Sequence, residues 1–284
     1  MTSLGMSDTT GRVIDVEIVT RAHPVRVWEA LTDPARIVEW FADRATGEVE
    51  PGAILRWSFD RLSSEMTFRV VQVAGKSRMV LEGDGGTPGR LEITVGLAHD
   101  GTRVALSHGH FPSEVGEEDY RALAAGWRLA LAVLRYYVEF HFAEPRRSFF
   151  ALRTGRFSLP RLQSLFREPA GLQEWLTEGG SMGTPGGRVH LALKNGEILR
   201  GDMLADAGSD VALAWDEIGG VLQFRTLPAA HDRDMRSVCA MGWGWGLKAE
   251  RAKEIEEYLA ASLEKLERAA EPAVAGQGGL LQSR

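Results

Sequence analysis

One block of residues recurs 135 positions further along the chain, and this constrains the fold more than any other feature. Leu162–Phe166, Glu168-Pro169-Ala170 and Glu174-Trp175-Leu176 answer Val27–Leu31, Asp33-Pro34-Ala35 and Glu39-Trp40-Phe41. Pro185-Gly186 likewise answers Pro51-Gly52. A chain of 284 residues has room for two such copies. The second is shorter, mainly in loops and before its last helix.

Each copy reads in the same order. Val13 to Thr20 alternates as a strand. Pro24 opens a short helix, and Asp33 caps a second with Pro34 in its first turn. Strand-like runs follow at 53–59, 66–73, 78–82, 90–97 and 103–110, separated by turn clusters that include Asp100-Gly101. In the second copy a strand at 148–153 precedes the helices, and runs at 188–193, 198–205, 210–215, 221–226 and 235–241 follow them. Gly244-Trp245 is read as answering Gly126-Trp127 and opening the last helix.

The stretch from Glu118 to Phe142 reads as a helix that is hydrophobic nearly all round. Leu123, Trp127, Leu131, Leu134, Val138 and Phe142 form one face, while Leu129, Val133, Tyr136 and Phe140 make the opposite side apolar too. Such a helix needs cover on two sides, so it is expected to be a wall shared by the halves. Arg121, Arg128 and Arg135 form one solvated stripe, with Glu118 and Glu139 in helical reach of Arg121 and Arg135. Three arginines exclude a membrane span, at about 2.5–3.5 kcal/mol each. The last helix has only one apolar stripe, from Trp245 through Ala249, Ala252, Ile255 and Leu259 to Leu266. It is expected on the outside.

A net charge of -6 argues against a nucleic-acid or anionic-membrane surface. The single cysteine, Cys239, reads as a small buried hydrophobe, and the start of the chain shows no secretory pattern, so a cytoplasmic setting is expected.

DPARIVEWF, the following Pro-Gly turn and the Gly-Trp pair resemble the START-like (SRPBCC) superfamily, within it the Hsp90-ATPase-activator-like (AHSA1) branch. The resemblance implies an α+β chain of two tandem helix-grip domains, at 12–143 and 148–268, with flexible tails at 1–11 and 271–284. Each would wrap a curved antiparallel sheet on a long C-terminal helix. It also implies an apolar cavity between sheet and helix. The family often ends its third sheet run in Trp, which Trp215 matches and Glu82-Gly83 does not. The N-terminal partner domain of the co-chaperone has no counterpart here.

Alternation turns Trp57, Phe59, Met66, Phe68 and Met79 toward Trp127, Leu131 and Leu134 in the first copy. Trp215, Phe224 and Trp245 are the matching candidates in the second. His108 and His110 share a strand face and are expected as a polar lip able to hydrogen-bond a ligand or move a proton. No metal set, catalytic residue or cofactor is assigned. Gly179–Gly183 matches G-x-S-x-G, but a helix precedes it and a strand follows, so it reads as a glycine loop and not a nucleophile elbow. The expected function is binding of a small hydrophobic or amphipathic molecule. A polyketide aromatase/cyclase-type enzyme, with His108, His110 and Arg69 as its polar groups, and a ligand-free protein-interaction module are the alternatives.

Overall fold

A computed structural model describes residues 11–229 and 235–270. The first half runs β1 (Ile14–Thr20), α1 (Pro24–Thr32), α2 (Pro34–Trp40), β2 (Arg44–Thr46), β3 (Ile54–Phe59), β4 (Ser64–Ala74), β5 (Arg78–Asp84), β6 (Arg90–Ala98), β7 (Gly101–Gly109) and α3 (Glu117–Phe140). The second runs β8 (Arg146–Gly155), α4 (Leu159–Arg167), α5 (Pro169–Trp175), β9 (Thr177–Met182), β10 (Arg188–Leu193), β11 (Ile198–Asp206), β12 (Val211–Trp215), β13 (Gly220–Pro228), β14 (Arg236–Trp245) and α6 (Ala249–Ala270). Two seven-stranded antiparallel sheets result, ordered β1-β7-β6-β5-β4-β3-β2 and β8-β14-β13-β12-β11-β10-β9. These are two tandem helix-grip units of one α+β plan. The tails expected at 1–11 and 271–284 lie outside the described residues, apart from Gly11.

The repeat extends to single hydrogen bonds. The Trp40 indole donates to the Ala30 carbonyl at 2.9 Å, and the Trp175 indole to the Leu165 carbonyl at 2.8 Å. Donors and acceptors are both 135 residues apart. Irregularities in register fall at Val70/Gln72 of β4 and Met203/Ala205 of β11, the same place in each sheet. Such bulges bend a strand and increase its twist.

Two readings need correction. Gly244-Trp245 ends β14, and the helix begins only at Ala249. Gly126-Trp127 lies in the middle of α3, so the two pairs are not equivalent. The run GWGWG is instead a strand of period two. A Cβ at Gly242 would meet the Val221 carbonyl oxygen at 2.1 Å, while Trp243 and Trp245 point the other way into the core. The glycine loop 179–183 belongs largely to strand β9, paired with β10. Gly180 has φ +138°, and a Cβ there would meet the His190 carbonyl oxygen at 2.2 Å. An edge strand of glycines carries no apolar alternation, which is why it reads as a loop.

Helix α3 packs on β1 of its own sheet and on β11, β12 and β13 of the other. Leu129 and Val133 are buried, but Phe140, expected to be covered, is 60 % exposed at the helix end. The charged stripe is also wired differently: Glu118 pairs with Arg236 of the second half, and Glu139 accepts from Thr20 Oγ1 and the Arg21 amide. Helix α6 packs on its own half, against β8, β14, α4 and α5, and its Glu256 pairs with Arg61 of the first half at 3.4 Å.

The central strands of the second sheet, β12 and most of β13, are therefore buried on both faces. Along β12, Val211, Leu213 and Trp215 join the core under α6, while Ala212 and Ala214 face the core built around α3. Small residues on that face let a helix approach closely. Arg146 fastens the junction. Its Nη2 donates to the Ala42 carbonyl at 2.7 Å, and its guanidinium carbon stands 4.4 Å from the Trp243 ring centre. The Trp245 indole donates to the Glu39 carbonyl at 2.8 Å.

Candidate functional site

A cleft of about 830 Å³ opens between the end of the first sheet, the N-terminal half of α3 and the end of β13. Phe41 closes α2, Phe59 closes β3 and Met66 lies near the start of β4. Leu123, Gly126 and Trp127 form the α3 wall, Val115 and Pro112 come from the loop before it, and Arg225, Leu227 and Pro228 form the far wall. Its floor is aromatic. Phe41 stacks on Trp127 with ring centres 5.9 Å apart and meets Phe59 edge-on at 5.2 Å.

His108 anchors this floor. The Trp127 indole donates to His108 Nδ1 at 3.1 Å, so Nε2 carries the ring proton and donates to the Pro88 carbonyl at 2.9 Å. The ring also packs 4.7 Å from Phe111. Burial lowers its pKa to about 4, against a smaller opposing effect of the Pro88 bond, so the imidazole is neutral near pH 7. Gly89 makes this possible: at φ +82°, a Cβ would meet the Gly109 carbonyl oxygen at 2.5 Å and His108 Nε2 at 3.1 Å. The expected polar lip is thus a structural pin. Both nitrogens are engaged within the protein, which leaves neither to move a proton. His110 does not share its face; it lies past the end of β7, exposed, with φ +56°. Arg69 pairs with Asp84 at 2.9 Å, more than half exposed.

Of the other residues singled out in the sequence, Phe59, Met66 and Trp127 border the cleft together with His108. Trp57, Phe68, Met79, Leu131 and Leu134 are buried behind it in the first core. Trp215 and Phe224 fill the second core, where Phe224 lies 5.1 Å from Trp175 and 5.4 Å from Phe166. Trp245 lies between the halves, stacked on His141 at 4.4 Å.

Sequence reasoning passed over Phe41, Leu123 and Arg225. The first belongs to the Glu-Trp-Phe motif and the second to the α3 stripe, so both were within reach. Arg225 had a subtler signal. In Val221–Thr226 the polar Gln223 and Arg225 alternate with Leu222 and Phe224. That marks a second face looking at something other than its own core.

Among the described residues, no group of three or more His, Cys, Asp or Glu side chains is placed to hold a metal ion. No helix among them is long and apolar enough to cross a membrane. Cys239 is buried, and burial raises its thiol pKa to about 12.

Residues 21–139 match the family model described as activator of Hsp90 ATPase homolog 1-like protein. No curated protein matches. Among solved structures, the chain is similar to DynU16, a protein of the dynemicin biosynthetic locus, at 20% identity over 92% of this chain and 100% of that one, with a TM-score of 0.42. It is similar to the Aha1 dimer from Colwellia psychrerythraea at 18% identity, 45% and 96% coverage and a TM-score of 0.41. CalU16 from Micromonospora echinospora follows at 22% identity, 45% and 76% coverage and a TM-score of 0.38.

Proposed function

We propose, from the match of residues 21–139 to that family model and the repeat of the same order of elements in the second half, a cytoplasmic binding protein of two START-like units of the Hsp90-ATPase-activator-like branch, 12–143 and 148–268. It holds a small apolar or amphipathic molecule in the cleft beside Trp127. The observation that carries this reading is the cleft itself. At about 830 Å³ it falls in the range of small-molecule sites, roughly 300–1,000 Å³, and its walls are mostly apolar with few polar groups. Binding is favoured over conversion of the ligand because His108 is neutral and held at both nitrogens, and Arg69 is engaged on the exterior.

The test is a panel of fatty acids and polyphenols, read by thermal shift and by quenching of tryptophan fluorescence. A ligand should raise the melting temperature by several degrees in the native protein. Leu123→Trp, which fills the cleft from α3, should abolish that shift while leaving the protein folded. Absence of any shift, together with a protein partner retained by Leu123→Trp, would replace this reading with an interaction module.

A further inference from the structure

Resting on the cleft reading above, we infer that Arg225 of the second half sets the chemistry of the ligand: an apolar, largely planar molecule bearing an uncharged oxygen acceptor, such as a ketone. Arg225 reaches across the junction from β13 with its side chain only 15 % exposed. Its Nε donates to Asp210 Oδ2 at 3.0 Å, and Nη2 donates to the Ala122 carbonyl of α3 at 3.2 Å. Nη1 has no hydrogen-bond partner among the described residues. A pinned guanidinium in an otherwise apolar wall thus keeps donor capacity for something in the cleft.

Two further observations narrow the class. Asp210 is 1 % exposed and also accepts the Thr226 amide at 2.9 Å, so the charge of Arg225 is already matched. The remaining charged groups on the cleft, Glu65, Glu114 and Asp119, are exposed and acidic. A carboxylate ligand would meet net negative charge, whereas a neutral carbonyl accepts a charge-assisted hydrogen bond without that penalty. Helix α3 also leaves the space the guanidinium needs. A Cβ at Gly126 would come 3.0 Å from Arg225 Nη2 and 3.6 Å from Nη1. Glycine is disfavoured inside a helix, so its presence here is accounted for by this contact.

The experiment compares four probes of one size: 2-acetylnaphthalene, 2-ethylnaphthalene, 2-naphthoate and 2-(aminomethyl)naphthalene, titrated by tryptophan quenching. The ketone should bind at least about tenfold tighter than the hydrocarbon, with the carboxylate weakest. Gly126→Ala, which crowds the guanidinium in a residue that favours helix, should bring that ratio close to one without lowering the melting temperature. Arg225→Lys, which keeps a cation beside Asp210, should do the same. Equal binding of ketone and hydrocarbon to the native protein would overturn the role of Arg225 and leave the cleft reading standing. Tightest binding of naphthoate would overturn the argument from matched charge. Failure of all four to bind would overturn the cleft reading and this inference with it.

Discussion

Acidification should expose the burial of His108 as a measurable loss of stability. The folded protein holds this imidazole at a pKa of about 4 against an ordinary 6.5. The unfolded chain therefore takes up the proton first, and stability falls as pH drops through 6.5, levelling off below about 4. A gap of about 2.5 pH units, at 1.36 kcal/mol each, amounts to about 3 kcal/mol. Other groups titrate in the same window, so the measurement is a difference. Urea unfolding of the native protein and of His108→Gln is compared at pH 7, 6, 5 and 4. Glutamine loses stability at pH 7, because it replaces a buried ring packed on Phe111 and Trp127 with a flexible chain. It has no proton to take up, however, so the gap between the two proteins should shrink by about 3 kcal/mol by pH 4. A gap constant within about 0.5 kcal/mol would refute the assignment of His108 as a buried neutral pin.

Other perturbations test separate parts of the argument. Asp210→Ala should cost about 3–5 kcal/mol in urea unfolding, because it strands a buried guanidinium that also bonds α3. Ala214→Leu should cost about 1–3 kcal/mol by overpacking the face that meets α3. An unchanged midpoint would mean that the face is open. Trp40→Phe and Trp175→Phe should lose similar stability, about 1–3 kcal/mol each, since both abolish the same indole-to-carbonyl bond. Widely different losses would show that the repeat is one of pattern alone.

Much of the architecture could be read from the chain because it rests on local periodicities. The 135-residue echo, the two-sided helix and the Asp33 cap, whose carboxylate accepts the Ala35 amide at 2.8 Å, are all short-range signals. The errors arose where one pattern had two readings. Gly244-Trp245 looked like a helix start by analogy with Gly126-Trp127, although the alternation in GWGWG was already that of a strand. His108 and His110 looked like a pair because they are two residues apart, but the strand ends between them and the chain turns through a left-handed conformation. The cleft was less legible for a different reason. Its far wall comes from β13, about a hundred residues beyond Trp127, and no local rule specifies which face of a distant strand will meet a helix.

The double burial of the second sheet's central strands makes the two halves unequal partners. A duplicate pressed against its sibling's helix has given up one exterior and become the backing plate of the other half. The chain should consequently resist cutting at its midpoint. A fragment ending near residue 143 would bare the greasy flank of α3 to water, and neither piece could be exchanged for a free-standing relative without re-tailoring the small alanines at the seam.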